Sequence, residues 1–189
     1  MVILQSTSSD LEAFERAKEK LIAFYNNVAG KRMAYRISER LSLLVLVVDT
    51  DIQPPALITY GESKEYEYIK IKDPDSQSDV KELYIAHEIM HMLIGTDKAG
   101  YFVDINYAII YEIHEHLIDT QLRLLYPVDV WKKTDKPSGV RKSLEHIQDI
   151  LDAFVKQHEI DTQTVDLESL ADRFLVENEK VILERFDLK

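Results

Sequence analysis

An α+β domain is the fold class this sequence predicts, on three observations. Apolar residues recur at helical spacing near the N-terminus, β-rich runs fill positions 41–72, and two long amphipathic stretches follow. The expected architecture is a small antiparallel or mixed sheet on a helix, two central helices, and a C-terminal helical layer. At 189 residues, 46% hydrophobic and 30% charged, the chain has enough apolar material for one ordinary core.

Ser9-Asp10-Leu11-Glu12 has the form of a capping box, and Leu11, Phe14, Leu21, Phe24 and Val28 carry the helical spacing from there until Gly30 offers a stop. Leu41–Val48 reads as a buried strand, bounded by Asp49, Asp51 and Pro54-Pro55. Leu57–Tyr60, a turn at 61–64 and Glu65–Lys72 predict a hairpin, whose second arm carries Tyr66, Tyr68 and lysines as an edge strand would. Asp73-Pro74-Asp75-Ser76 breaks the pattern, and Asp79 with Glu82 can cap a helix running to Ile94 before Gly95. Asp104 can cap another from Ile105 to Leu125, stopped by Pro127. The division predicted is a core over 1–126, a linker over 127–139 and a C-terminal helical extension over 140–189 packed on the core. In the extension, Leu144, Ile147, Leu151, Phe154 and Val155 mark one helix, and Leu167, Leu170, Ala171 and Phe174 another.

The balance of 34 acidic against 23 basic residues, net −11, repels a phosphate backbone, so no nucleic-acid partner is expected. No apolar run approaches the ~20 residues that span a bilayer, and MVILQSTSSD lacks the basic n-region of a signal peptide. A soluble, cytoplasmic protein with no membrane partner is the expectation. Cysteine is absent, which removes disulfides, thiolate zinc sites and thiol catalysis. Any metal must be held by His, Asp or Glu.

His87-Glu88-Ile89-Met90-His91 lies in the first of the central helices. Histidines four apart project from one helical face, which suits two corners of a tetrahedral metal, and Glu88 beside the first is placed to take a proton from water. Such a string arises by chance with a probability of roughly 0.02 in a chain of this make-up. Context adds weight, since four of the six histidines fall between 87 and 116. The alternative is a helix with two ordinary histidines. A third ligand is needed, and the second central helix offers Glu112, His114, Glu115 and His116. Glu115 has Asp119 one turn on, where a carboxylate can accept the free ring N–H of a ligand histidine; Glu112 and His116 also share a face and stay open as alternatives.

His87-Glu88-Ile89-Met90-His91 with the later His114-Glu115-His116-Leu117-Ile118-Asp119 resembles the gluzincin group of zinc metallopeptidases, whose third ligand is the Glu of a Glu-x-x-x-Asp stretch on a second helix. The spacing is more similar to the longer gluzincins, those like angiotensin-converting enzyme, than to thermolysin, and the short chain resembles the minigluzincins. The resemblance covers residues 56–125. It implies a zincin-like core with residues 10–29 as backing helix, an active-site helix, a glutamate helix, and 65–72 as the edge strand that pairs with an extended substrate. It implies one zinc per chain on His87, His91 and Glu115, Glu88 as general base, and Asp119 behind a ligand histidine. It also implies a donor to the oxyanion, for which Tyr111, Tyr107, His114, His146 and His158 are chemically able.

The function expected is zinc-dependent hydrolysis of peptide bonds in a peptide or protein substrate. The competing expectation is a non-catalytic or latent metal-binding interaction protein. The C-terminal helices lie outside the minimal gluzincin pattern, and completing the core, lining the cleft, blocking it or joining a homodimer are the roles open to them. Trp131 reads as an anchor for those helices, Met90 and Met92 as core, and the acidic clusters at 62–67 and 177–184 as solvated faces.

Overall fold

The computed structural model describes residues 8–27, 39, 44–48, 56–60, 67–71, 78–94, 107–134, 142–161 and 167–185. Nine elements run in order: α1 (Ser8–Asn27), β1 (Leu44–Val48), β2 (Ala56–Tyr60), β3 (Glu67–Ile71), α2 (Ser78–Ile94), α3 (Tyr107–Leu125), the short α4 (Val128–Trp131), α5 (Lys142–Gln157) and α6 (Leu167–Arg185). The expected α+β class is corrected by this inventory. Five helices of 16 to 20 residues stand against three strands of five residues each, so the described chain is mostly helical. The strands form one small sheet that covers part of α2, while α1 makes the most extensive contact with it and the C-terminal helices pack mainly on α3.

The strands that are present pair in the order β1-β3-β2, β1 parallel and β2 antiparallel to β3. The expected pairing of 57–60 with 65–72 is found, while its turn at 61–64 lies outside the described residues. The expected edge position of that second arm is corrected: β3 is the central strand, with Ile69 opposite Leu46 on one side and Ile58 on the other. Ile69 and Ile71 are buried while Lys70 between them is half-exposed, the alternation of a strand covered on one face. Of the residues that suggested an edge, Lys70 lies on the less covered face, while Tyr66 and Lys72 are outside the described residues.

The long helix α2 is the centre of the fold. Every residue from Val80 to Met92 is buried, because α1, β2, β3, α3, α4 and α6 all pack on it. The most extensive of these contacts is with α1. The buried side of α1 is Ala13, Phe14, Ala17, Leu21 and Tyr25, a stripe turned away from the expected Leu11 and Phe24, which are only half-buried. Alanines at 13 and 17, facing a helix that carries Ala86, permit the two backbones to approach closely. Gly30, the stop expected for this helix, and Asp104, the cap expected for α3, lie outside the described residues.

Burying α2 on all sides takes its charged residues into the interior, and α1 supplies their partners. Lys81 and Asp10, 1% and 0% exposed, form an ion pair between the two helices. Glu82 receives Lys20 at 2.5 Å and Arg16 at 3.0 Å, so it is not the helix cap the sequence suggested. Asp79 serves the helix start: its carboxylate accepts the Val80 N–H at 3.0 Å and Lys133 at 2.9 Å. Lys133 sits just beyond α4, within the 127–139 stretch expected to link the two parts. There Pro127 opens a short helix, Val130 is buried, and the Arg123 guanidinium lies 4.6 Å over the half-buried Trp131 ring. Residues 135–139 are outside the described set.

The C-terminal helices pack on one another through Ile150, Leu151, Phe154, Leu170, Phe174, Leu175 and Ile182, with the Phe154 and Phe174 rings edge to face at 5.4 Å. Both also contact α3. No described helix is long and apolar enough to cross a membrane.

The buried pair between α1 and α2 has a measurable signature. Lys81→Met alone strands a carboxylate in the interior and should lower unfolding free energy by about 3 kcal/mol or more. Adding Asp10→Leu removes the stranded charge, so the double variant should recover much of the loss in urea denaturation. A double variant as unstable as the sum of the single ones would show that the two groups do not act as a pair.

Candidate metal centre

The register of α2 places His87 and His91 one turn apart, and α3 brings Glu115 to them. The ligating atoms converge. His87 Nε2 lies 3.0 Å from His91 Nε2, Glu115 Oε1 is 2.8 Å from His91 Nε2 and 3.2 Å from His87 Nε2. The side chains are 4%, 2% and 16% exposed in the order His87, His91, Glu115. These three residues form a group that can hold a metal ion.

Proton arithmetic explains why a cation suits this arrangement. Two Nε2–H groups facing one carboxylate would sit against each other at 3.0 Å, two bare nitrogens would oppose their lone pairs, and a single N–H shared between the rings leaves the bare nitrogen against the carboxylate oxygen. A cation among the three atoms satisfies all of them together. In a tetrahedral site with bonds of ~2.0–2.1 Å, ligand atoms stand about 3.3 Å apart. The observed separations are shorter by a few tenths of an ångström, so the set needs only a slight opening to accept an ion.

The opposite edge of the His87 ring is also engaged, with Nδ1 3.2 Å from Asp119 Oδ1. Asp119 sits one turn after Glu115 on α3, and a carboxylate there favours the proton on Nδ1, which leaves the Nε2 lone pair for the metal. Glu115 itself is strongly perturbed. Burial would raise its carboxyl, but hydrogen bonds from His87 and His91 and then their charges outweigh burial and hold it well below the usual carboxylate range. A carboxylate held in its charged form is what a metal ligand requires.

Glu88 follows His87 on the same helix and is buried at 8% exposure, beside the group of three and not part of it. Of the alternatives for third ligand, His116 is half-buried among other charges. Burial lowers its pKa most, Asp152 on α5 and Asp119 oppose this, and Arg123 adds to it, so it faces the C-terminal layer. Glu112, Tyr107 and Tyr111 lie in the first turns of α3, with side chains outside the described set, as is that of His146. His158 is far from the centre in its bonding: Arg173 donates to its Nδ1 at 2.6 Å, and its Nε2 meets Glu177 at 3.0 Å.

His114, next to the third ligand, is 4% exposed and its Nδ1 has no hydrogen-bond partner. Burial, then the His91 charge, pushes its pKa down to about 4, with Glu115 acting weakly the other way. At neutral pH it is an uncharged imidazole.

Sequence reasoning missed the polar groups that carry α2 from behind. Tyr25 on α1 donates to Gln121 Oε1 on α3 at 2.6 Å, and its hydroxyl stands 3.2 Å from Met90 Sδ on α2. A signal existed for Gln121: it breaks an apolar stripe made by Leu117, Ile118 and Leu122. For Asp10, Lys81 and Glu82 none existed, because charged residues in the first turns of helices are ordinarily exposed.

Comparison with protein families, with curated proteins and with solved structures returns no match for this chain.

The buried His114 sets an acid limb of stability. Its folded pKa of about 4 lies below the ordinary 6.5, so between those values the unfolded chain binds a proton the fold refuses. Stability is fully present above pH 6.5 and falls as pH drops toward 4, by on the order of 3 kcal/mol in total. His114→Gln should flatten that limb in denaturant titrations run with a chelator present. An unchanged slope between those pH values would show that another group is responsible.

Proposed function

We propose that this chain is a zinc-dependent metallopeptidase of gluzincin type, cleaving peptide bonds in a peptide or protein substrate. The observation that carries the reading is the convergence of His87, His91 and Glu115 from two helices, with Asp119 behind His87 and Glu88 next to the first ligand. Two imidazoles and one carboxylate are the donor set of hydrolytic zinc sites, with a fourth position left for water or substrate. Zinc held there supplies Lewis acidity to the water and to the scissile carbonyl.

The chain's own residues do the rest. Glu88 accepts a proton from the attacking water and delivers it to the leaving amine. Being largely out of solvent strengthens each of its interactions with reacting groups. Asp119 fixes the ring orientation and tautomer of His87. An extended substrate adding to the strands would do so along β1 or β2, since β3 has both edges occupied.

A second reading, a non-catalytic or latent metal-binding protein, is favoured by one observation. The ligands are nearly enclosed, and the C-terminal helix α6 packs on the same α2 that carries the histidines. The two readings differ at Glu88. Elemental analysis of untagged protein should give about one zinc per chain, and none in a His87→Ala, His91→Ala variant. Glu88→Gln should keep the zinc yet lose peptide hydrolysis by roughly 100-fold or more. Zinc bound equally by wild type and Glu88→Gln, with neither cleaving a broad quenched-peptide pool, would sink the peptidase and leave the second reading.

A further inference from the structure

The ligands are divided between two helices, so the spacing of α2 and α3 decides whether Glu115 reaches both histidines. One hydroxyl touches both helices. Tyr25, fully buried on α1, donates to Gln121 Oε1 at 2.6 Å and stands 3.2 Å from the sulfur of Met90. Met90 immediately precedes His91, and Gln121 is two residues beyond Asp119. A hydroxyl has one proton, and the shorter contact takes it, so the bond ties α1 to α3 while the sulfur of α2 rests against the same oxygen.

The choice of residues is informative. Gln121 is 1% exposed among Leu117, Ile118 and Leu122, where an aliphatic side chain would pack without needing a partner. A buried amide there contributes little net stability, because it must first be taken out of water. What it adds is direction: the bond forms at one relative position of α1 and α3 and is lost when the helices slide.

The geometry points to Tyr25 as a positioning residue for the metal centre, setting through Gln121 and Met90 the distance between the histidine helix and the glutamate helix. This rests on the metal-binding reading above. It predicts that loss of the hydroxyl weakens the metal site beyond any effect on folding.

The test uses the full chain. Zinc affinity is measured by competition with a chromophoric chelator, cobalt(II) coordination by its visible absorption, and folding by thermal melting in excess chelator. Tyr25→Phe should bind zinc about tenfold more weakly and give a less intense cobalt spectrum. A Tyr25→Phe, Gln121→Met variant removes both polar partners, so it should recover the melting temperature and still bind zinc weakly. Wild-type zinc affinity in Tyr25→Phe, or affinity that returns together with stability in the double variant, overturns the positioning role alone. A wild-type chain that takes up neither zinc nor cobalt overturns the metal reading and this inference with it.

Discussion

The constraint on which the structure depends is that one helix carrying five acidic, basic or histidine side chains is buried from Val80 to Met92. Lys81, Glu82, His87, Glu88 and His91 all lie in the enclosed part of α2. Water cannot solvate them there, and unpaired charge in the interior costs several kcal/mol per ion. The surrounding elements therefore have to arrive with the right groups at the right height. Asp10, Arg16 and Lys20 from α1 meet the first turns, and Glu115 and Asp119 from α3 meet the histidines. The arrangement divides into an ionic half that holds α1 and a half whose nitrogens converge with the Glu115 carboxylate.

That division separates roles that are often mixed. In the first half each charge has an opposite charge within reach, and the result is attachment. In the second, His87 and His91 present nitrogens toward each other and toward a single carboxylate, three atoms that one cation could satisfy together. The perturbation of Glu115 follows from the same crowding. His114, adjoining it, shows what burial does to an imidazole with no carboxylate bonded to it: it stays neutral.

Much of the centre was legible in the sequence because helical spacing is a local rule. Two histidines four apart and a Glu with an Asp four later need only a helix to fall on common faces, and α2 and α3 are helices over nearly the expected spans. The fold class was less legible. Runs such as 41–48 and 57–72 carry β preference, but how far strands extend depends on what covers them, and here each reaches five described residues in a mostly helical chain. The place of β3 also depended on a parallel partner more than twenty residues away. On α1 the expected Phe14 and Leu21 lie on the buried stripe, whereas Ala13 and Ala17, weak markers of burial, share it and the larger Leu11 and Phe24 stand at its margin.

The bonds closing α1 onto the rest of the molecule span 62 to 96 residues of sequence. During synthesis at ~5–20 residues per second, Tyr25 precedes Gln121 by roughly 5 to 20 s. Over that interval the stripe of Phe14, Leu21 and Tyr25 has no completed interior to enter. The nascent chain thus carries the apolar stripe of α1 before α2 and α3 exist to cover it. An ion could meet all three of His87, His91 and Glu115 only after α3 is made, since Glu115 is the last of them in the chain.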